Sequence, residues 1–436
     1  MLMTAIIIPR MKFRIVLRLL VGLPMMVMLL TGSVSMLTDL DEQVRAYTRT
    51  VEFDYLSWTL DALGLKIGQT ALGAERYLEI DQRPKIVLEY LDLVGEIWVM
   101  EATLEDIYAD PNISDPFTVS AELRADLEQL YTRRSQMQIL SEEIIQDQIN
   151  TIAAEMGLTL TGQTIPPVLY HVTPLPMALI ISPRDVIRQD ADIFVSPNLT
   201  IDQITEIESR VDEDLNVSSL VTNVGGIGLY PTMVMQTTSI NWLAEVVSHE
   251  WVHNFLTLRP LGMSYGNSPQ LRTVNETVAN MAGKELGQAV IARFYPEYLP
   301  KPPTPTPTPA PSDSEPTPLP TSEPPEFNFN AEMHTTRLEV DRLLAEGKIE
   351  EAEAYMEQRR IFFWENGYHI RKLNQAYFAF HGAYADEPGG AAGASENPVG
   401  DAVRSLRANS ASLAEFLNQI SWMWTFEQLE RAVSQN

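Results

Sequence analysis

His249-Glu250-Trp251-Val252-His253, with Val246-Val247-Ser248 before it and Asn254-Phe255 after, is the stretch that decides the architecture. Residues four apart lie on one face of a helix. Two imidazoles there can bind one zinc ion, while the glutamate between them faces a zinc-bound water. The flanks carry no charge, no glycine and no proline. That pattern describes a straight helix packed on its back beneath a cleft.

Two histidines leave such a site incomplete. A catalytic zinc takes three protein ligands and keeps one position open. The chain has no cysteine. Disulfides are therefore excluded, and the third ligand must be His, Glu or Asp. Glu276, in Asn275-Glu276-Thr277-Val278-Ala279-Asn280, falls on a predicted second helix from Leu271 to Ile291. The intervening loop, with Pro260, Gly262 and Gly266, lets that helix fold back on the first. Asn280, one turn after Glu276, is placed to hydrogen-bond and orient a ligand. Glu245, one turn before His249, competes as third ligand. A third ligand from the same helix closes a tetrahedron poorly, so Glu276 is preferred.

His249, Glu250 and His253, followed by Asn275-Glu276 and the small Ala279, resemble the gluzincin metallopeptidases. Thermolysin-like enzymes and the large zinc aminopeptidases belong to that group. The matched part is a small share of the 436 residues. The Asn374–His381 segment is also similar to part of a family of bacterial predicted aminopeptidases. Three departures stand out. The spacing from His253 to Glu276 is longer than usual, Asn280 stands where thermolysin-like enzymes have an aspartate, and no Gly-x-Met-Glu-Asn-type exopeptidase motif is present. The last leaves amino- versus endopeptidase specificity open. The resemblance implies a zincin-type core, in which a small mixed sheet backs the HExxH helix. It also implies peptide hydrolysis by a zinc-activated water, with zinc on His249, His253 and Glu276 and with Glu250 as general base. A second electrophile usually assists such chemistry. Tyr377 and His381 are the candidates, with Tyr265 and Tyr368 as rivals.

The rest of the chain frames this centre. Net charge is −27, which argues against nucleic acid as a partner because phosphates would be repelled. Arg10, Lys12, Arg14 and Arg18 precede an apolar run from Leu19 to Leu30 that extends weakly to Leu37. Residues 1–37 are thus expected to be a signal-anchor helix, roughly Ile15 to Leu37, with the bulk of the chain outside the cell membrane. The competing reading is a cleaved signal peptide with Ser33 and Ser35 before the cut.

Residues 38–160 read as long helices, with Leu56, Leu60, Leu63 and Ile67, then Ile86, Leu88, Leu91 and Ile97, at helical spacing. Breaks are expected at Asp110-Pro111 and Asp115-Pro116, and a third helix from Ser120 to Met156. This region is expected to be a hairpin or small bundle acting as a stalk. Residues 161–299 hold the catalytic core, with short proline-bounded strands near 166–170, 178–181 and 193–195 and a helix from Ile201 to Asp214. Leu220 to Pro231, rich in glycine, reads as an edge strand able to lie along the cleft and pair with an extended peptide. Residues 300–326 hold 12 of the 29 prolines, the composition of an extended, disordered linker. Residues 327–436 are helical again, with Asn374, Tyr377 and His381 sharing one polar face and a final pair of helices over 398–407 and 412–433.

The fold expected is α+β, mostly helical: a zincin-type core between an N-terminal helical bundle and a C-terminal helical region that completes the cleft. The function expected is a membrane-anchored, extracytoplasmic zinc peptidase acting on peptide or protein substrates. The alternatives are an inactive zinc-binding scaffold, against which the intact Glu250 argues, and a sensor whose helical 38–160 region binds a partner.

Overall fold

The computed structural model describes residues 39–73, 77–110, 112–159, 163–300, 327–382 and 398–434. It is an α+β arrangement, mostly helical, with two three-stranded sheets.

The N-terminal helices are α1 (Asp39–Thr48), α2 (Tyr55–Leu72), α3 (Arg83–Ala109), the short α4 (Pro116–Val119) and α5 (Ala121–Glu155). The break between α3 and α5 falls where the prolines predict it. Asp115 caps α4 by accepting from the Thr118 amide, with Pro116 in the first turn. α3 and α5 run antiparallel. Arg83 meets Asp147 at one end, and Glu101 accepts from the Tyr131 hydroxyl toward the other.

The middle of the chain forms β1 (Tyr170–Val172), β2 (Met177–Pro183), β3 (Ala191–Val195), α6 (Ile201–Leu215), β4 (Val217–Thr222), β5 (Gly226–Ile227) and β6 (Thr232–Val234). One sheet has the order β3-β2-β4 and is antiparallel throughout. The other has the order β1-β6-β5, with β1 parallel and β5 antiparallel to β6. The single glycine-rich strand expected over Leu220 to Pro231 is therefore divided. Its first part is β4 of one sheet, and Gly226–Ile227 forms the edge of the other.

The two edges of the β1-β6-β5 sheet are treated differently. Along β1, four polar side chains one turn apart on α5 take the place of a missing strand. Gln138 donates to the Val172 carbonyl at 2.8 Å and Glu142 accepts from the Val172 amide at 2.8 Å. Gln146 accepts from the Tyr170 amide and Asn150 from the Val168 amide, both at 3.1 Å. The pleat thus finds its partners in a helix, which closes this edge to further strands. The β5 edge has no such ladder among the described residues.

After β6 come α7 (Ile240–Thr257), α8 (Pro260–Met263) and α9 (Pro269–Phe294). Beyond residue 326 are α10 (Phe329–Ala345), α11 (Ile349–Glu365), α12 (Gln375–His381), α13 (Pro398–Asn409), α14 (Leu413–Ile420) and α15 (Phe426–Ser434). One hydrophobic cluster draws on Val87 and Val94 of α3, Ile144 and Ile149 of α5, Leu243 and Trp251 of α7, Val278 and Leu286 of α9, and Val403 and Phe416 of α13 and α14. Each such side chain, fully buried, contributes about 1.5–3 kcal/mol. Helices α3 and α5 of that region are therefore packed into the same core as the HExxH helix, whereas Val44 of α1 packs with Leu179 and Ile181 of β2.

The segment after residue 326 is tied to α6 and to β4 of the β3-β2-β4 sheet. Arg371 donates two hydrogen bonds to the buried Glu208 carboxylate at 2.6 and 2.7 Å, and Lys372 one to Asp212 at 2.7 Å. α12 starts later than its polar face suggested. Asn374 is the N-cap, accepting from the Tyr377 amide and donating to the Ser219 carbonyl. A short amide side chain satisfies the first helical N–H better than it extends the helix. The expected final helix over 412–433 is likewise two helices, α14 and α15, parted at Ser421–Thr425.

The expected single-pass membrane location is corrected. Among the described residues no helix is long and apolar enough to cross a membrane. Residues 1–37, on which that expectation fell, lie outside the described residues, as do 301–326, the expected linker.

Glu142 does more than close a sheet edge. It is 1% exposed and pairs with Lys66 of α2, itself 3% exposed, and with His171 at 3.0 Å. Burial alone would raise its carboxyl, but the Lys66 ammonium and the His171 ring outweigh that and bring it down to about 2. A carboxyl whose folded value lies below its unfolded value stabilises above the unfolded value and loses that contribution as pH falls through the folded one. The expected result is an unfolding temperature that drops between about pH 4.5 and pH 2. Glu142→Gln should cost about 3–5 kcal/mol at neutral pH, because Lys66 is left buried and unpaired. Lys66→Met/Glu142→Gln should recover much of that loss. Thermal denaturation across this pH range checks both, and a single variant as stable as wild type would refute the pairing.

Candidate metal centre

The centre is built by α7 and α9. Ser239 caps α7 by accepting from the Trp242 amide, and Ser268 caps α9 by accepting from the Leu271 amide, with Pro269 in the first turn. α7 is packed as its uncharged flanks predict. Val247, Trp251, Val252 and Phe255 are buried, and the Trp251 indole donates to the Pro166 carbonyl at 2.8 Å.

What brings the two helices together is a run of small residues on α9. Ala279, Gly283 and Gly287 fall one turn apart. A Cβ on Gly283 would lie 2.8 Å from the His249 Cα, and one on Gly287 would lie 2.8 Å from the Glu245 Cα. Two glycines one turn apart thus rest on two α7 residues one turn apart in reverse order, so the helices run antiparallel in backbone contact. Glycine inside a helix costs about 0.5–1 kcal/mol against alanine. Here that cost permits an approach no larger residue allows.

This approach carries Glu276 to the histidines. The Nε2 atoms of His249 and His253 are 3.1 Å apart, and Glu276 Oε2 lies 3.5 Å from His253 Nε2 and 3.8 Å from His249 Nε2. Three ligand atoms around a tetrahedral ion with bonds of about 2.0–2.1 Å stand roughly 3.3 Å from one another. The observed separations bracket that value. His249, His253 and Glu276 are thus a group able to hold a metal ion. Glu245 is not in the group; its backbone lies under Gly287.

The amide that orients His253 is Asn275, not the expected Asn280. Its Oδ1 lies 2.8 Å from His253 Nδ1. An amide oxygen can only accept, so Nδ1 carries the proton and Nε2 is turned to the ligand group. The Tyr265 hydroxyl donates to Glu276 Oε1 at 2.6 Å. Burial would raise the Glu276 carboxyl, but His253, His249 and Arg272 outweigh it and hold it well below the usual carboxylate range.

Glu250 is 6% exposed and is not one of the three ligands. Burial, with Glu276 nearby, pushes its carboxyl up to about 7, against the opposing effect of His253. It lies against the edge strand. A Cβ on Gly226 would fall 2.6 Å from Glu250 Oε1, and one on Gly228 would fall 3.0 Å from the His253 Cβ. Asn254 locks this arrangement by donating to the Leu229 carbonyl and to the Thr232 hydroxyl, both at 3.0 Å. Edge strand β5 and helix α7 therefore meet at the proposed base.

Tyr377 and His381 lie on α12 against the β3-β2-β4 sheet, and neither is part of the ligand group. Their rings are 4.3 Å apart, and Tyr377 packs with Val224 and Phe380 onto Ala178, Ile180 and Leu220 of the β3-β2-β4 sheet. Tyr368 stacks on Phe329 at 4.5 Å in an aromatic cluster after residue 326. The tyrosine hydroxyl in contact with a ligand residue is that of Tyr265. Its position in a loop gave no periodic signal, and only Asn275, adjacent to Glu276, could have been read as an orienting residue from the motif. No protein-family model, no curated protein and no solved structure matches this chain.

Proposed function

We propose that the chain is a zinc-dependent peptidase with a zincin-type core. The observation that carries the reading is the meeting of three parts at one place: the His249, His253 and Glu276 ligand atoms, the buried Glu250 carboxylate outside that set, and the β5 edge against it. Donors that are two imidazoles and one carboxylate suit zinc. When bound, zinc lowers the pKa of a water and polarises a carbonyl.

The chain's own residues supply the remainder. Glu250 takes a proton at its carboxylate and returns it to the leaving amine. The β5 backbone, the sheet edge among the described residues, aligns an extended peptide beside that carboxylate. Closure of the opposite β1 edge by α5 leaves β5 as the edge where a strand can be added. Tyr377 and His381 are assigned the second electrophilic role, supported by the packing of Tyr377 with Val224, two residues before Gly226, and of the His381 ring beside Tyr377.

The test is digestion of a mixed peptide library by the full chain. We expect cleavage that a chelator stops and added zinc restores, with one zinc per chain. His249→Ala should lose both the metal and the cleavage. Full metal occupancy in that variant would refute the ligand assignment. Stoichiometric zinc with no cleavage of any peptide would refute the peptidase reading and leave a metal-binding scaffold.

A further inference from the structure

Glu276 presents its two carboxylate oxygens to different partners. Oε2 faces the histidine Nε2 atoms at 3.5 and 3.8 Å. Oε1 accepts from the Tyr265 hydroxyl at 2.6 Å, a length typical of a charge-assisted O–H···O⁻ bond. The Tyr265 oxygen in turn accepts from Arg272 Nε at 3.2 Å. Arg272 lies one turn before Glu276 on α9, and its guanidinium carbon is 5.9 Å from the centre of the Tyr265 ring. The three side chains form a directed chain, guanidinium to phenol to carboxylate.

That direction has a chemical consequence. A phenol whose oxygen already accepts from a cation is a stronger donor, because hydrogen bonds in series polarise one another. Its proton is committed to Oε1, so Tyr265 is not available to a reacting carbonyl. A carboxylate free at both oxygens can close on a metal with both of them. That would fill the position a catalytic site keeps open.

We propose that Tyr265, polarised by Arg272, is a positioning residue that holds Glu276 as a one-oxygen ligand, leaving Oε2 for the metal and withholding Oε1. This rests on the metal-centre reading above, not on peptidase activity. Tyr265 thereby sets coordination number as well as affinity.

The test uses the full chain loaded with Co2+ in place of Zn2+, read by visible absorption. Four-coordinate Co2+ absorbs several-fold more strongly than five-coordinate Co2+. Wild type should give the intense spectrum. Tyr265→Phe keeps the ring that packs edge-on to His253 at 6.4 Å and removes only the hydroxyl. It should give the weak five-coordinate spectrum and a Zn2+ affinity lower by about 10–100-fold in chelator competition. Arg272→Gln should shift the spectrum in the same direction, and Arg272→Lys should recover most of the intensity. Melting of the metal-free Tyr265→Phe protein at the wild-type temperature separates this effect from a loss of folding. A wild-type spectrum and wild-type affinity in Tyr265→Phe would overturn the positioning role while leaving the metal centre standing. A wild-type chain that takes up neither ion overturns the metal-centre reading and this proposal together.

Discussion

Glu250→Gln retains its metal and loses hydrolysis: that is the expected result with the largest effect on activity. The substitution replaces one carboxylate oxygen with an amide nitrogen and changes little in shape. Metal content should stay at one ion per chain, because Glu250 is outside the ligand group of His249, His253 and Glu276. The amide cannot take a proton from water. General-base assistance is worth about 10²–10⁴-fold, so kcat/KM should fall by about that factor or more. The carboxylate cannot simply be supplied by solvent-exposed neighbours, since the site is buried beneath β5, with Gly226 against Glu250. Metal analysis and kinetics on one preparation decide it. Turnover near wild type would show that another group is the base, or that the chemistry is not peptide hydrolysis.

The second large effect lies outside the ligands. Gly283→Val is expected to weaken metal binding by about tenfold or more, the size of loss seen when a ligand's support is displaced. A single methyl at Gly283 would already stand 2.8 Å from the His249 N, Cα and Cβ atoms. Those are helix backbone and its first side-chain carbon, and they cannot rotate away. α9 must move off α7, and Glu276, two turns along α9, moves with it. The overpacking should also cost about 1–3 kcal/mol of stability. The control is Gly64→Ala on α2, where a Cβ meets nothing within 4 Å. There the substitution should be neutral or stabilise by up to about 1 kcal/mol. A Gly283→Val protein with wild-type zinc affinity would show that the two helices are not held by this contact.

Much of this was legible in local signals. HExxH with uncharged flanks marks α7, because two ligands on one face and a buried back need only the helical period. The helix expected over Leu271–Ile291 is α9, the break expected at Asp115-Pro116 falls between α3 and α5, and the helix expected over Ile201–Asp214 is α6. Each is settled within a turn or two of chain. The readings that failed involve competition between local and distant partners. Asn374 looked like part of a helical face, yet the Ser219 carbonyl across the sheet and its own helix's first amides claim it as a cap. The division of Leu220–Pro231 between two sheets was hidden for the same reason. Pairing partners, not composition, decide which strand joins which sheet.

By itself, then, the sequence determined the helix that carries His249, Glu250 and His253, the helix that carries Glu276, and the absence of any thiolate ligand. Those follow from periodicity, capping and residue inventory, which act along the chain. Only the tertiary structure decided that Asn275 orients His253, that Tyr265 and Arg272 hold Glu276, and that four α5 side chains close the β1 edge. It also decided how closely α9 approaches α7. These are hydrogen bonds and backbone contacts between separate elements. They depend on direction and on tenths of an ångström, which no pattern of residue types encodes until the elements have packed.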